Sequence, residues 1–361
     1  MSNIVSTSAS LSALIQEYYM PELYDQIFKK SHPLLSLLKS KAKTFNGRVI
    51  SVPLEHADGG AVAWGDAHTL LTDSGDASGT PSYTPAYVEI AKSATYNPTM
   101  LTGHFLLTKE ETLLMNSKQA IKNIVSAKVN NLQKSLEQTV AENLFATSQT
   151  ADAFIPIALL LDATTDVGGI DVSSDTWFQT PTLGHADFAD ETGSLITEDD
   201  MLDSDKDTYI LRLLQKGVAN ARGYTGENPD IIVCPQFVYD LIENELDPRK
   251  QGSRMSERMG SMGFTGLNFR GIDVVADQDM VNAQAGDTDG KIYFINTKYL
   301  YMFFNSGAKF TASDMIEDTR SNTFVQKVHT YGNMVVTNRR AHCVINDVAS
   351  PQAYAPYVGG A

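Results

Sequence analysis

Cysteine is scarce in this chain of 361 residues: Cys234 and Cys343 are the only two, each in an apolar, strand-like context. They read as buried thiols in a reducing compartment, with a structural disulfide as the alternative. No apolar run reaches the ~18 residues that a membrane span needs, so no membrane partner is expected. The opening Met1-Ser-Asn-Ile-Val has neither the basic nor the apolar region of a signal peptide. Positive charge is also short. With 28 Lys and Arg against 43 Asp and Glu, the formal net charge is −15, which argues against a sequence-reading nucleic-acid binder with a basic face.

Motifs of catalysis are equally sparse. Neither a G-x-S-x-G elbow nor a G-x-G-x-x-G fingerprint occurs, and the seven histidines show no metal-ligand spacing. Gly286-Asp-Thr-Asp-Gly290-Lys291 resembles a phosphate loop, but its glycines are one residue too close and Ile292 replaces the Ser or Thr; a hairpin turn is expected. Asp203-Ser-Asp205-Lys-Asp207 opens like a calcium loop, yet Thr208 takes the glycine position and Leu214 that of the bidentate Glu. It reads as an acidic helix turn. Catalytic residues, cofactors and metal ligands are therefore expected to be none.

What is present is an α+β chain with long, extended parts. Thr108 and Glu111 fit a capping box, and Ile121, Val125, Val129, Leu132, Leu136, Val140 and Leu144 follow as one apolar stripe. This predicts a spine helix from Thr108 to about Phe145, roughly 55 Å long at 1.5 Å per residue. Ahead of it, residues 8–40 hold apolar patches (Leu11, Leu14, Ile15, Tyr18, Tyr19, then Leu34, Leu35, Leu37, Leu38) divided by Pro21 and Pro33. Such an arm is expected to bury its apolar side on something else, for instance a neighbouring subunit. Two alternating segments, Arg48 to Leu54 and Tyr87 to Tyr96, flank a Gly-rich stretch and predict an extended hairpin. Trp64 in its tip is either an anchor in a partner's pocket or a plug for its own loop.

Beyond the spine, residues 152–207 contain fourteen acids and one basic residue, Lys206. A helix is predicted from Thr197 through Leu211, Leu214 and Val218 to Gly223. A buried strand at Asp230–Cys234, a helix at Pro235–Leu246, a strand at Asn268–Val275, one or two strands in Lys291–Phe304 and a final strand pair in Phe324–Val348 follow. The charge is uneven: residues 1–48 carry six Lys or Arg against three acids, and residues 105–150 five Lys against four Glu. Either one side is near neutral and the other strongly acidic, or these are solvated faces without consequence.

This order of parts resembles the major capsid proteins of tailed bacteriophages, with their Hong Kong 97-like fold. The segment Asn228-Pro-Asp-Ile-Ile-Val-Cys-Pro-Gln-Phe-Val-Tyr-Asp-Leu241 is similar to the family's strand-then-helix element. Gly266 to Val275, Gly290 to Ile295 and Tyr299 to Phe303 resemble the strands that come next. The resemblance implies an N-terminal arm (1–46), an extended hairpin loop (47–100), a peripheral domain with the spine helix (101–154 and 306–361) and an axial domain (155–305). It further implies pentamers and hexamers in an icosahedral head shell, packaged double-stranded DNA contacted without base reading, a portal, and assembly in the host bacterial cytoplasm. Because the chain opens on the arm, a separate scaffolding protein is expected, and no covalent cross-linking pair can be matched. Tyr18, Tyr19 and Trp64 are the expected inter-subunit anchors. An encapsulin-like compartment enclosing cargo enzymes shares this fold and is the alternative.

Overall fold

Alternation of period two in the strands and of period 3.6 in the helices divides the apolar residues between two packed cores. The computed structural model describes residues 32–56, 90–110, 118–150, 152–188, 195–246, 267–277, 280, 289–314, 316–318 and 320–349. In chain order its elements are α1 (Pro33–Ser40), β1 (Lys43–Phe45), β2 (Ile50–Glu55), β3 (Ala91–Tyr96), β4 (Thr99–Thr108) and α2 (Lys118–Leu144). There follow α3 (Ile157–Leu160), β5 (Thr182–Leu183), α4 (Glu198–Leu202), α5 (Ile210–Thr225), β6 (Ile231–Cys234), α6 (Gln236–Leu246), β7 (Leu267–Phe269) and β8 (Ile272–Ala276). The last strands are β9 (Asp289–Ile295), β10 (Leu300–Asn305), β11 (Thr311–Ala312), β12 (Ile316–Asp318), β13 (Thr323–Val336) and β14 (Cys343–Ala349).

One sheet is built around the 14-residue β13. Residues Thr323 to Gly332 pair with β4 along one edge, while β12, β11 and β10 pair in turn along the other, and β1 extends β10 in parallel. The second sheet runs β5-β14-β9-β6-β8-β7, mixed parallel and antiparallel. In β6, Ile231 and Val233 enter one core while Ile232 and Cys234 enter the other. Both faces are covered, so the strand is apolar throughout, as doubly covered strands are. Tyr293 and Ile295 against Ile292 and Phe294 repeat the division in β9.

A helix opens directly after Thr108, as its capping signature predicts: Lys109 and Glu110 are helical, and α2 is described from Lys118. Thr108 is the last residue of β4, opposite Thr323 of β13. Phe105 and Leu107 point inward and Leu106 outward, a strand alternation that the register with β13 enforces. Glu111 lies outside the described residues. Helix α2 spans 27 residues, about 40 Å. Its stripe is graded: Val125, Val129 and Leu132 are half-buried, whereas Leu136, Val140 and Leu144 are buried. Gly103 of β4 lets the helix lie close, since a Cβ there would sit 2.7 Å from Leu132 Cδ1.

Three expectations change. Leu34, Leu35, Leu37 and Leu38 of α1 are at most 3% exposed and join the subunit's own core, so this part of the arm packs at home and not on a neighbour. The helix expected from Thr197 to Gly223 is two, α4 and α5, because Asp203–Tyr209 form a turn held by Asp and Lys side chains. The closing strands β13 and β14 do not pair with each other; they lie in different sheets. A short turn, Arg339–Ala341, carries the chain across, with Asn338 Oδ1 accepting from the backbone N–H of Arg340. Among the described residues no helix is long and apolar enough to cross a membrane.

Candidate assembly surfaces

The hairpin predicted at residues 47–100 has a root of six paired positions, from Ile50↔Tyr96 to Glu55↔Ala91. That root is fastened to the body by several independent bonds. Tyr96 Oη donates to the Val336 carbonyl at 2.9 Å, Thr95 N–H donates to the Gly168 carbonyl at 2.8 Å, and Lys92 reaches both Asp175 oxygens at 2.8 and 2.9 Å. His56 stacks on Trp177 with ring centres 4.7 Å apart. Hydrogen bonding from Lys92, outweighing burial, holds the Asp175 carboxyl below its usual range. Trp64, like Tyr18 and Tyr19 of the arm, lies outside the described residues. The structure therefore brings none of the three anchors to a described surface.

Beneath the root lies a buried cation. Arg339 is fully buried, donates to the carbonyls of Asp162 and of Thr165 (3.0 Å), and faces the Phe178 ring at 5.4 Å. Burial pulls its guanidinium down to about 10 and pushes the Tyr96 hydroxyl up to about 12. Beside it His342 is fully buried; its Nδ1 accepts from the Asn296 backbone N–H at 3.2 Å, and burial lowers the imidazole to about 3. These groups tie the hairpin root, the 162–178 loop and the inter-sheet turn together. Sequence reading did not single out Arg339, although an Arg-Arg pair between two apolar strands is the signal that marks it.

Three outer surfaces stand out. On the sheet face away from α2, cross-strand partners share a side. Leu106 of β4, Val325 of β13 and Ile316 of β12 form an apolar row, 48% exposed at Leu106 and 66% at Ile316. Met100, opposite Tyr331, is exposed on the same face beyond the polar pairs His104–Lys327 and Thr102–His329. Helix α4 and the α4–α5 turn after it carry Glu198, Asp199, Asp203 and Asp205 around an exposed Leu202. Near the C-terminus of α5 a cleft of about 490 Å³ opens, with Arg222 and Arg270 on its rim and Val218 and Ile272 in its floor.

The two runs dismissed in the sequence are placed in part by the structure. Gly290 and Lys291 lie within β9; Gly286, Asp287 and Thr288 fall outside the described residues. Of the calcium-like run, Asp207 pairs with Lys216, and Asp203 accepts from the Asp205 N–H. Among the described residues, no group of three or more His, Cys, Asp or Glu could hold a metal ion. Cys234 and Cys343 are free, buried thiols, both pushed up by burial, Cys343 to about 12.

No family model matches the chain, and no curated protein does. Solved structures do. A chain of the cyanophage A-1(L) capsid asymmetric unit superposes with a TM-score of 0.61 at 17% identity, covering 94% of this chain and 98% of that one. A chain of the capsid of Myoviridae phage XM1 gives 0.54 at 12% identity over 92% and 97%. The holo-SrpI encapsulin complex of Synechococcus elongatus PCC 7942 gives 0.51 at 10% over 94% and 95%. Over almost its whole length, this chain has the fold of phage capsid proteins.

Proposed function

We propose that the chain is the major capsid protein of a tailed phage or prophage, of the Hong Kong 97-like type, and that its function is assembly. The carrying observation is coverage: the capsid-protein matches extend over 94% and 92% of this chain and over 98% and 97% of the matched chains. Each subunit offers different patches to its neighbours head to tail, and closure into pentamers and hexamers and then a shell satisfies them. Modest contacts repeated on several sides give strong avidity.

In this reading residues 1–46 are the arm, 47–100 the extended loop, and 101–154 with 306–361 the peripheral domain. Residues 155–305 are the axial domain, whose sheet β14 joins from the peripheral segment 306–361. Tyr18, Tyr19 and Trp64 supply apolar anchors to neighbouring subunits. The near-neutral spine side faces packaged double-stranded DNA and touches phosphates without reading bases. A scaffolding protein and a portal are the other partners, the virion head is the location, assembly takes place in the host bacterial cytoplasm, and no catalytic step is involved.

The encapsulin match supports a second reading, a shell around cargo enzymes. Electron microscopy of the purified protein, alone and with co-expressed scaffolding candidates, tests the first. Closed shells with fivefold and sixfold clusters are expected, and a monomer under every condition overturns it. Particles from the native source then separate the two: nuclease-protected DNA supports the phage head, protein cargo the compartment.

A further inference from the structure

The acidic turn and the arginine cleft sit at opposite ends of one rigid element. Helix α5 begins at Ile210, directly after the acidic turn, and the cleft is lined from its C-terminal half. From Ile210 to Arg222 the helix rises about 18 Å, so a subunit cannot fold its own turn into its own cleft. Among the described residues neither Arg222 nor Arg270 has a carboxylate within ion-pair reach, and none of Glu198, Asp199, Asp203 and Asp205 has a basic group within it. Arg270 stands at the tip of the β7–β8 turn with φ 53°, followed by Gly271 at φ 86°, and it packs 5.6 Å from the Phe269 ring. A long cationic side chain in the left-handed region is a costly choice for a turn that Asn or Gly would make more cheaply. Apolar groups accompany the charges: exposed Leu202 ends α4 beside the acids, and Val218 and Ile272 line the cleft with the arginines.

From this we infer that the α4–α5 turn of one copy docks into the Arg222/Arg270 cleft of the next. Leu202 seats on the apolar floor, and Asp203 and Asp205 lie against the two guanidiniums. Two different patches joined by a fixed spacer make a heterologous contact, the kind that closes into rings when the rotation allows. Exposed ion pairs contribute little each; here their role is to steer and to fix register, because a like-charge mismatch is strongly disfavoured. The inference rests on the assembly reading and names one contact within it.

The test is a charge exchange in the full chain, scored by the assembled fraction in light scattering and electron microscopy. Arg222→Glu/Arg270→Glu and Asp203→Arg/Asp205→Arg are each expected to cut assembly by about tenfold or more, and the quadruple variant to recover most of it. Unchanged circular dichroism and melting of the unassembled subunits show that the fold is intact. As a second measurement, Arg222→Cys/Asp205→Cys subunits are treated with a short bismaleimide after assembly; Cys234 and Cys343 are buried and do not compete. A ladder ending at five and six linked chains is expected. Wild-type-like assembly of both reversals, a quadruple no better than either, or cross-linking confined to monomers overturns the contact. A wild-type chain that never assembles removes the broader reading, and this contact with it.

Discussion

His342 shows how one buried group sets a response to acid. The imidazole is enclosed, and its Nδ1 accepts from the Asn296 N–H, so the ring is neutral and Nε2 carries the proton. Its folded value, about 3, lies below the unfolded one, 6.5. Between those limits the unfolded chain binds a proton that the folded chain refuses, so stability is full above pH 6.5 and declines as pH falls. The slope can reach about 1.4 kcal/mol per pH unit. Burial alone would raise the Asp200 carboxyl, yet hydrogen bonds from Lys206 and Thr197 hold it at about 2, and bonds from Thr297 and Lys41 likewise lower Asp230. Those carboxylates lose their contribution from about pH 5 downward, so the decline due to His342 is read between pH 6.5 and about 5. Urea midpoints should therefore fall steadily from pH 6.5 to about 5. In His342→Gln, whose carbonyl can still accept from Asn296, the curve should flatten; equal slopes in both proteins would show that some other group is responsible.

At the scale of elements, β13 carries the first sheet by changing neighbours. It pairs with β4 as far as Gly332 and with β10 from there to Val336. A Cβ at Gly332 would lie 2.1 Å from the Phe303 carbonyl oxygen, which is backbone and cannot rotate away. Gly332→Ala should cost about 1–3 kcal/mol, read as a lower urea midpoint at unchanged slope. A wild-type midpoint would mean that the strands part easily there. Helix α1 makes a different claim. Leu34→Ala and Leu38→Ala each open a fully buried site and should cost about 2–5 kcal/mol in the unassembled subunit. Loss of assembly with no loss of subunit stability would return α1 to the arm.

Those elements also show what the sequence could reveal. The β6–α6 segment was legible because an apolar run precedes Pro235, a helix-opening residue. The hairpin root was legible because Arg48 to Leu54 and Tyr87 to Tyr96 alternate. Strand β4 was not, since Phe105 and Leu107 run straight into the Thr-x-x-Glu signature that opens helix at Lys109, and only pairing with β13 shows the strand ahead of it. The assignment of β13 and β14 to separate sheets, and the meeting of Arg222 with Arg270 across about fifty residues, are tertiary facts that no local pattern carries.

For the whole molecule, the question is whether projecting segments stabilise the subunit or the shell. The described body is already furnished with two cores and a pinned hairpin root. If Trp64 anchors in a neighbour, removing it leaves that body untouched and weakens every copy of one contact. Trp64→Ala should then melt at the wild-type temperature as a free subunit. It should also raise the concentration needed for assembly, since a central aromatic anchor is worth about 2 kcal/mol or more, near thirtyfold per contact. If instead Trp64 plugs its own loop, the free subunit should become less stable or more readily cleaved within residues 57–89, and assembly should suffer only in proportion. Calorimetry and limited proteolysis of the unassembled chain, set beside light scattering of assembly, separate the two. A lower melting temperature with an unchanged assembly threshold would rule out the anchor, because a contact between copies cannot stabilise a copy that stands alone.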